Sequence, residues 1–250
     1  MNSLDRNLAL ITGGSRGLGY ECAKALRAEG FDLILVAKDP ARLSAAAEAL
    51  KSDGRSESVT TYLIDLESSE ETSSQLEVIA SRYPEITHLI VAHGVMSEKM
   101  SKTLKTTDAE WRRVLSINLD SVFQIVNRLV PAFVEARRGR VVIFSACLGR
   151  MSGPGNAGGL APYRISKAGV NALVRNLAHE TGLGARGVLV DAICPNHSRT
   201  DMGGPDAPRS AEEGAETAVW LATRNFDKAS EDFQKNTTGV LWEDHQIVPW

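Results

Sequence analysis

The chain has 250 residues, of which 43% are hydrophobic and 24% are charged, and its formal net charge is -3. This length suits one α/β domain with a large buried core, so we expect a single domain over residues 1–250. The absence of a basic excess leaves little to neutralise a phosphate backbone, which argues against a nucleic-acid partner.

Six short apolar runs follow one another along the chain. They are LALIT, DLILVA, VTTYLI, THLIVA, RVVIFS and GVLVDAI, at residues 8–12, 32–37, 59–64, 87–92, 140–145 and 187–193. Their apolar residues are continuous rather than alternating, which is typical of strands buried on both faces. These runs predict a parallel sheet.

Helical patterns separate the runs and have recognisable starts. Three pairs show capping-box spacing, in which each side chain can bond the other residue's backbone N–H: Ser68 with Glu71, Thr107 with Glu110, and Ser210 with Glu213. Right-handed crossovers would then build a Rossmann-type three-layer α/β/α sandwich with a doubly wound parallel sheet. Its ligand should bind at the carboxyl ends of the strands.

The spacing of the cysteines and histidines and the length of the apolar runs indicate which metal sites and which cellular locations can be expected. Cys22, Cys147 and Cys194 lack CxxC spacing, and the five histidines, at positions 88, 93, 179, 197 and 245, never pair at helical metal-ligand spacing. We therefore expect no disulfide framework and no metal site. No apolar run approaches the roughly 18 residues that a bilayer requires, and the first residues do not resemble a signal peptide. A cytoplasmic protein with no membrane partner is expected.

A glycine-rich stretch, TGGSRGLG, follows the first predicted strand and opens a helix. Its glycines let the backbone turn tightly and approach a pyrophosphate, which free N–H groups at a helix N-terminus can hold. The candidate cofactor-binding residues in this glycine loop, residues 12–19, are Thr12, Gly13, Ser15, Arg16, Gly17, Leu18 and Gly19.

The spacing TGxxxGxG resembles the short-chain dehydrogenase/reductase family, and further agreements extend over nearly the whole chain. They are Asp65 after the third strand, Asn118 in SINLDSVF, YRISK at 163–167, and Pro195 with Thr200 after the sixth strand. The end of the chain is similar to the carbonyl-reductase-like branch. The resemblance implies an oxidoreductase that uses a nicotinamide cofactor.

Charge at the end of the second strand indicates which cofactor is preferred. An acidic residue there would suit NAD, whereas this chain has Ala37 and Lys38. Together with Arg16, Lys38 places two cations near a 2′-phosphate and favours NADP; the alternative is that both are solvated surface charges. The resemblance adds further cofactor-binding residues: Asp65 and Leu66 at the adenine, and Ala92, Gly94, Lys167, Pro195 and Thr200 elsewhere.

The candidate reaction centre contains Tyr163 and Lys167, which share one face of a predicted helix because they are four residues apart. A phenol with a pKa of ~10 needs a nearby ammonium to act near neutral pH. The resemblance implies that Tyr163 donates a proton to a carbonyl, that Lys167 lowers its pKa, and that Asn118 holds a relay water. Asn118 could also be a polar residue that kinks a helix.

The family's catalytic serine raises a question. Counting from Gly139, the family pattern has two serines after the strand, and the second acts in catalysis; here Ser145 takes the first place and Ala146 the second. Gly149 falls on the expected glycine, which fixes the alignment. Because strand side chains alternate, Ser145 should face away unless the strand end breaks the alternation. Either Ser145 reaches the substrate, or a donor worth ~3–4 kcal/mol is lost.

Two further departures lie beside the same predicted pocket. The chain reads VAHG at 91–94, where the family usually has NNAG, and Asn196 replaces a glycine after Pro195. Asparagine tolerates positive φ, so the cofactor could still bind. His93 and His197 should lie near the strand ends, where each is either an acid or base or an incidental loop residue.

These features favour an NADP-dependent carbonyl reductase or secondary-alcohol dehydrogenase acting on a small molecule. Loops 149–162 and 198–210 should border the substrate pocket, within a substrate-loop region of about 196–215. The alternatives are a non-redox enzyme of the same fold, such as a cyclase or isomerase, and a binding protein that senses the cofactor. The resemblance also implies a homodimer or homotetramer with helices around 108–128 and 162–181 at the interface.

Overall fold

The coordinates are a computed structural model, which describes residues 7–51, 58–98, 102–153 and 157–250. Within these ranges one sheet contains eight strands: β1 Leu8–Thr12, β2 Asp32–Ala37, β3 Val59–Leu63, β4 His88–Val91, β5 Gly139–Phe144, β6 Val188–Ile193, β7 Leu241–Glu243 and β8 Gln246–Val248. Their order across the sheet is β3-β2-β1-β4-β5-β6-β7-β8. The strand order reverses direction between β1 and β4, which is the usual place for a ligand in a doubly wound sheet.

All six predicted strands are present, with ends that differ by about one residue. The pairs from β3 to β7 are parallel, as predicted, whereas β8 is antiparallel to β7. Residues 64, 92 and 145 were predicted as strand but lie just beyond the ends of β3, β4 and β5, at the carboxyl edge of the sheet. The prediction missed β7 and β8, since three residues each are too few for a periodic pattern.

Helices cover both faces of the sheet, which confirms the three-layer α/β/α arrangement. They are α1 Gly17–Ala28, α2 Pro40–Lys51, α3 Ser69–Arg82, α4 Asp108–Leu115, α5 Ser121–Ala136, α6 Ala161–Glu180, α7 Ala211–Thr223 and the short α8 Phe233–Asn236. Residues of α1, α2 and α7 share one apolar layer, and residues of α3, α5 and α6 share the other. No helix among the described residues is long and apolar enough to cross a bilayer.

The three predicted capping pairs form in different ways. Ser210 and Glu213 make the full reciprocal box at the start of α7. Ser68 and Thr107 each accept the predicted N–H bond, but their acidic partners bond preceding loops instead. Glu71 accepts from the Asp65 backbone N–H at 3.2 Å, and Glu110 accepts from the Glu98 N–H at 2.8 Å. These bonds fix the loops that follow β3 and β4 at the carboxyl edge.

A buried ion pair ties β6 to the last part of the chain. Asp191 on β6 accepts from Arg224 at 2.9 Å, and both side chains are almost fully buried. The Arg224 guanidinium also lies 4.9 Å from the ring centre of Trp220 and 4.8 Å from that of Trp242. Asp191 accepts further bonds from Thr238, from the Gly239 N–H and from the Trp242 indole. Within the part of the chain that the structure describes, the segment 224–242 therefore supplies the donors that bond this carboxylate.

Candidate active site

A cleft of about 690 Å³ opens at the carboxyl ends of the strands and begins at the glycine loop. Gly13 and Gly17 have φ values of +66° and +55°, which favour glycine, and a Cβ at Gly19 would lie 2.4 Å from the Gly13 carbonyl oxygen. Arg16 precedes α1 in an extended conformation and makes no side-chain cap. The first N–H groups of α1 are thus left for an anionic ligand.

Most of the predicted cofactor-binding residues line this cleft, and they lie on loops that follow strands or on the first turn of α1. They are Gly13, Ser15, Arg16, Gly17, Leu18, Gly19, Lys38, Asp65, Leu66, Ala92, Gly94 and Thr200. Three others lie behind the lining or beside it. The Thr12 hydroxyl bonds His93, and Lys167 Nζ would lie 3.6 Å from a Cβ at Gly94. The Pro195 carbonyl accepts a hydrogen bond from the Ser198 hydroxyl.

One end of the cleft carries more charge than the sequence indicated. Besides Arg16 and Lys38 it includes Arg42 on the first turn of α2 and the carboxylates of Asp39 and Asp201. Sequence reasoning missed Arg42, although its position four residues after Lys38 at the start of a helix could have suggested it. It also missed Asp201, which is distant in sequence from the other charges and comes close to them only in the fold.

The opposite end brings together Asn118, Lys167 and Gly94. Asn118 is fully buried; its Nδ2 donates to the Val95 carbonyl at 2.9 Å, and its Oδ1 accepts from the Val95 N–H at 2.8 Å. A Cβ at Gly94 would lie 3.3 Å from Asn118 Oδ1 and 3.6 Å from Lys167 Nζ. The missing side chain at position 94 therefore lets the backbone pass close to both polar groups, which are themselves buried.

Asn118 owes its position to a widened helical turn. Residues Ser116–Asp120 form a π-helical turn between α4 and α5. Such insertions distort the helix locally and are frequent at functional sites. Asn118 therefore lies at a distortion of the helix, as one of its two interpretations expects, while its role in holding a relay water stays a prediction.

Tyr163 and Lys167 lie on the first turns of α6, as their spacing predicted. Lys167 Nζ donates to the Phe144 carbonyl at 2.7 Å and lies 6.0 Å from the centre of the Tyr163 ring. Burial lowers the pKa of Lys167 to about 8. Burial also raises the pKa of Tyr163 above its usual range, and the nearby thiols of Cys194 and Cys147 add to this increase. In this state Tyr163 is a protonated phenol at neutral pH, and no lowering of its pKa by Lys167 is seen.

Comparison with known proteins identifies the family. The sequence model described as short chain dehydrogenase matches residues 7–211. The chain belongs to the short-chain dehydrogenase family. It is 29% identical over 200 residues to the 3-oxoacyl-[acyl-carrier-protein] reductase FabG of Escherichia coli K12, covering 80% of this chain and 77% of the relative.

Solved structures of short-chain dehydrogenases share the fold. One from Escherichia coli CFT073, complexed with NADPH, has a TM-score of 0.79 at 22% identity and covers 95% of both chains. Another, from Salmonella enterica serovar Typhi, has a TM-score of 0.80 at 22% identity and covers 96% of both chains. These likenesses agree with the observed sheet order and its flanking helices.

The serine question of this short-chain dehydrogenase is answered by the direction of two neighbouring side chains. Ser145 is buried, and its hydroxyl donates to Asn171 on α6. The Asn171 amide in turn donates to the Gly149 carbonyl at 3.2 Å, which holds the start of loop 149–162. Ala146 instead packs in a small apolar cluster with Tyr163 and Val114. The Ser145 hydroxyl is therefore engaged by α6, and Ala146 is the residue of this pair that packs against Tyr163.

Apolar side chains surround this cluster. Val95, Met96, Leu148 and Leu160 are partly buried and pack against it. The predicted substrate loop 149–162 contributes Leu160 here, while its residues 154–156 lie outside the described residues. The members of this cluster that pack around Tyr163 are consequently apolar.

The two histidines differ from one another in environment. His93 accepts at Nδ1 from the Thr12 hydroxyl at 2.7 Å, and its Nε2 lies 2.9 Å from the Ile117 carbonyl that it can donate to. Burial, and then the charge of Lys167, lower the pKa of His93 to about 3, so His93 is neutral near pH 7, which favours the incidental residue of the two alternatives over the acid or base. His197 is exposed, and its Nε2 bonds the Gly203 carbonyl at 2.8 Å. Beside it, Asn196 has a φ of 57°, as tolerance of positive φ allowed.

Proposed function

We propose that the protein is an NADP(H)-dependent oxidoreductase that reduces a carbonyl to an alcohol, or carries out the reverse reaction. The observation that supports this most is the arrangement of three buried side chains: Asn118 and Lys167 lie next to Gly94, and the centre of the Tyr163 ring lies 6.0 Å from Lys167 Nζ. Gly94 lines the cleft that starts at the glycine loop. A nicotinamide and a reacting carbonyl could meet there, next to the proton donor.

The residues at the cleft suit a dinucleotide. The glycine loop and the free N–H groups of α1 would hold the pyrophosphate, Asp65 and Leu66 would border the adenine, and Pro195 and Thr200 would border the nicotinamide. Arg16, Lys38 and Arg42 would face a 2′-phosphate, so NADP(H) is preferred over NAD(H) in this proposal. When bound, the nicotinamide supplies or accepts the hydride.

The protein's own groups handle the proton. Tyr163 is protonated at neutral pH and therefore ready to donate to a carbonyl oxygen that gains negative charge. Lys167 Nζ lies 6.0 Å from the centre of the Tyr163 ring, and its positive charge would stabilise the phenolate that this donation leaves, although in the structure burial dominates the pKa of Tyr163. Asn118 would hold a water that returns a proton from solvent.

The substrate would be a small molecule with an apolar part next to its carbonyl, because apolar side chains surround Tyr163. A 3-oxoacyl thioester is a reasonable first choice, since it is the substrate class named for the FabG relatives. The carbonyl-reductase-like end of the sequence makes simple ketones and quinones the next choice. We further propose one cytoplasmic domain over residues 1–250 that assembles as a homodimer or homotetramer.

The test is NADPH oxidation with 3-oxoacyl thioesters, ketones, aldehydes and quinones. Tyr163→Phe removes the hydroxyl and keeps the ring, and should lower kcat by at least ~100-fold. Tyr62→Phe on β3, whose ring packs against Tyr83, is the matched control and should leave kcat unchanged. Turnover that survives Tyr163→Phe would overturn the assigned proton donor.

The apolar Ala146 supports a second candidate, a non-redox enzyme of the same fold in which Tyr163 acts only as an acid. This candidate predicts that NADPH binds and is not oxidised with any carbonyl, while Tyr163→Phe still abolishes formation of a product. A protein that only senses the cofactor would bind NADPH and show no product that depends on Tyr163.

A further inference from the structure

Asp201 occupies an unusual place for a carboxylate. It lies on the turn 200–204 and forms ion pairs with two cations of the cleft, Arg16 on the glycine loop and Arg42 on α2. The bond from Arg42 Nη1 to Asp201 Oδ2 is 3.1 Å long. One carboxylate oxygen thus bridges two guanidinium groups at the end of the cleft proposed to hold the 2′-phosphate.

The turn itself is fixed against the glycine loop. The Gly203 N–H donates to the Thr200 hydroxyl at 3.1 Å, and the Gly204 N–H donates to the Thr200 carbonyl at 2.8 Å. A Cβ at Gly17 would lie 3.2 Å from Thr200 Cγ2, and Gly17 has a positive φ. The close approach of this turn to the glycine loop therefore depends on a glycine at position 17, and it holds Asp201 near Arg16.

A 2′-phosphate and the Asp201 carboxylate have the same recognition chemistry. Both present acceptor oxygens to guanidinium groups, but the phosphate carries about -1.5 to -2 charges at neutral pH and the carboxylate carries -1. With both anions present, their mutual repulsion would oppose the attraction to the cations. The phosphate has the stronger attraction, so it should take the guanidinium groups and release the carboxylate.

We infer that Asp201 is an internal competitor for the 2′-phosphate and a residue that sets cofactor specificity. Binding of NADP(H) breaks the ion pairs of Asp201 with Arg16 and Arg42, whereas binding of NAD(H) leaves them in place. Asp201 therefore reduces the preference of the wild-type protein for the phosphorylated cofactor. This inference rests on the proposed function, because it assumes that the cations receive a 2′-phosphate.

The experiment measures binding of 2′,5′-ADP and of ADP by titration calorimetry, so that the 2′-phosphate is tested apart from the nicotinamide. Asp201→Asn should lower the Kd for 2′,5′-ADP by ~5-fold to 10-fold, which is the scale of one or two exposed ion pairs. The same substitution should change the Kd for ADP by less than ~2-fold. The Asp201 side chain is 64% exposed, so the substitution should leave folding intact. Asp201→Glu keeps the charge and should bind both probes within ~2-fold of wild type.

Asp206→Asn is the matched control, since Asp206 is an exposed carboxylate farther along the same loop. It should alter neither affinity. If Asp201→Asn leaves the ratio of the two affinities unchanged, including the case in which both probes bind more tightly by the same factor, the inference that Asp201 competes with the 2′-phosphate is overturned. A wild-type protein that binds 2′,5′-ADP no better than ADP would instead overturn the proposed NADP preference, which separates the two failures.

Discussion

The hydroxyl of Ser145 donates a hydrogen bond to the side chain of Asn171 on α6, the helix that also carries Tyr163. The following residue, Ala146, is the one that packs against Tyr163. The chain therefore keeps a serine at the end of β5 but uses it to attach the sheet to α6 and to the start of loop 149–162. The site is left without a serine hydroxyl from this strand beside the phenol.

Ala146→Ser should restore a hydroxyl next to Tyr163 and raise kcat for the best carbonyl substrate by at least ~10-fold, since loss of such a donor costs about 100-fold or more elsewhere. Steady-state NADPH oxidation checks this. An unchanged kcat would mean that another group already makes the hydrogen bond to the substrate oxygen.

Ser145→Ala should affect stability and leave catalysis alone. It removes a buried hydrogen bond and leaves Asn171 Oδ1 without that donor, so the free energy of unfolding should fall by ~1–3 kcal/mol. Urea unfolding measures the loss, and kcat of the folded protein should stay within ~2-fold of wild type. A large fall in kcat at unchanged stability would show that Ser145 acts on the substrate after all.

His93 should make the protein sensitive to acid. Its pKa is about 3 in the folded protein and near 6.5 when unfolded, so between these values the unfolded chain binds more protons and stability falls as the pH falls. His93→Asn should show a slope shallower by ~1.4 kcal/mol per pH unit in this window. His197→Asn, at an exposed histidine, should keep the wild-type slope. Equal slopes in all three proteins would contradict a neutral, buried His93.

Lys167 should change how the stability of the cofactor-free protein depends on pH in alkaline solution. Its pKa is about 8 when folded and 10.5 as an ordinary lysine. The unfolded chain binds more protons between these values, so the free energy of unfolding of wild type relative to Lys167→Met should rise across this window by up to ~3 kcal/mol. Unfolding of both proteins at pH 7.5 and 10 measures the difference. Lys105→Met, at an exposed lysine, should show no such change.

The sequence predicted the fold and most of the cleft because both depend on local patterns. Continuous apolar runs identified the six strands β1 to β6, and in a parallel sheet the residues that follow the strands must meet at one edge. The resemblance to the family, rather than the strand pattern, led us to expect Gly94, Asn118 and Lys167 in one site.

Other features depend on contacts between distant parts of the chain. Asp201 meets Arg42 across 159 residues, and no local pattern marks either residue as a partner of the other. The neutral state of His93 depends on how deeply the ring is buried and on the position of Lys167. The short strands β7 and β8 form because β6 offers a free edge, and their own sequences carry too little periodicity to show this.

The partners of Asp191 have a consequence for how the chain folds during synthesis. Among the described residues, the side chains and the N–H that bond this buried carboxylate all come from the segment 224–242. A growing chain that has reached residue 200 would have to bury the charge of Asp191 unpaired in order to complete β6, which is strongly unfavourable. We therefore expect β6 to join the sheet only after Trp242 has left the ribosome. Until then, a folding intermediate that lacks β6 would expose the edge of β5 to chaperones.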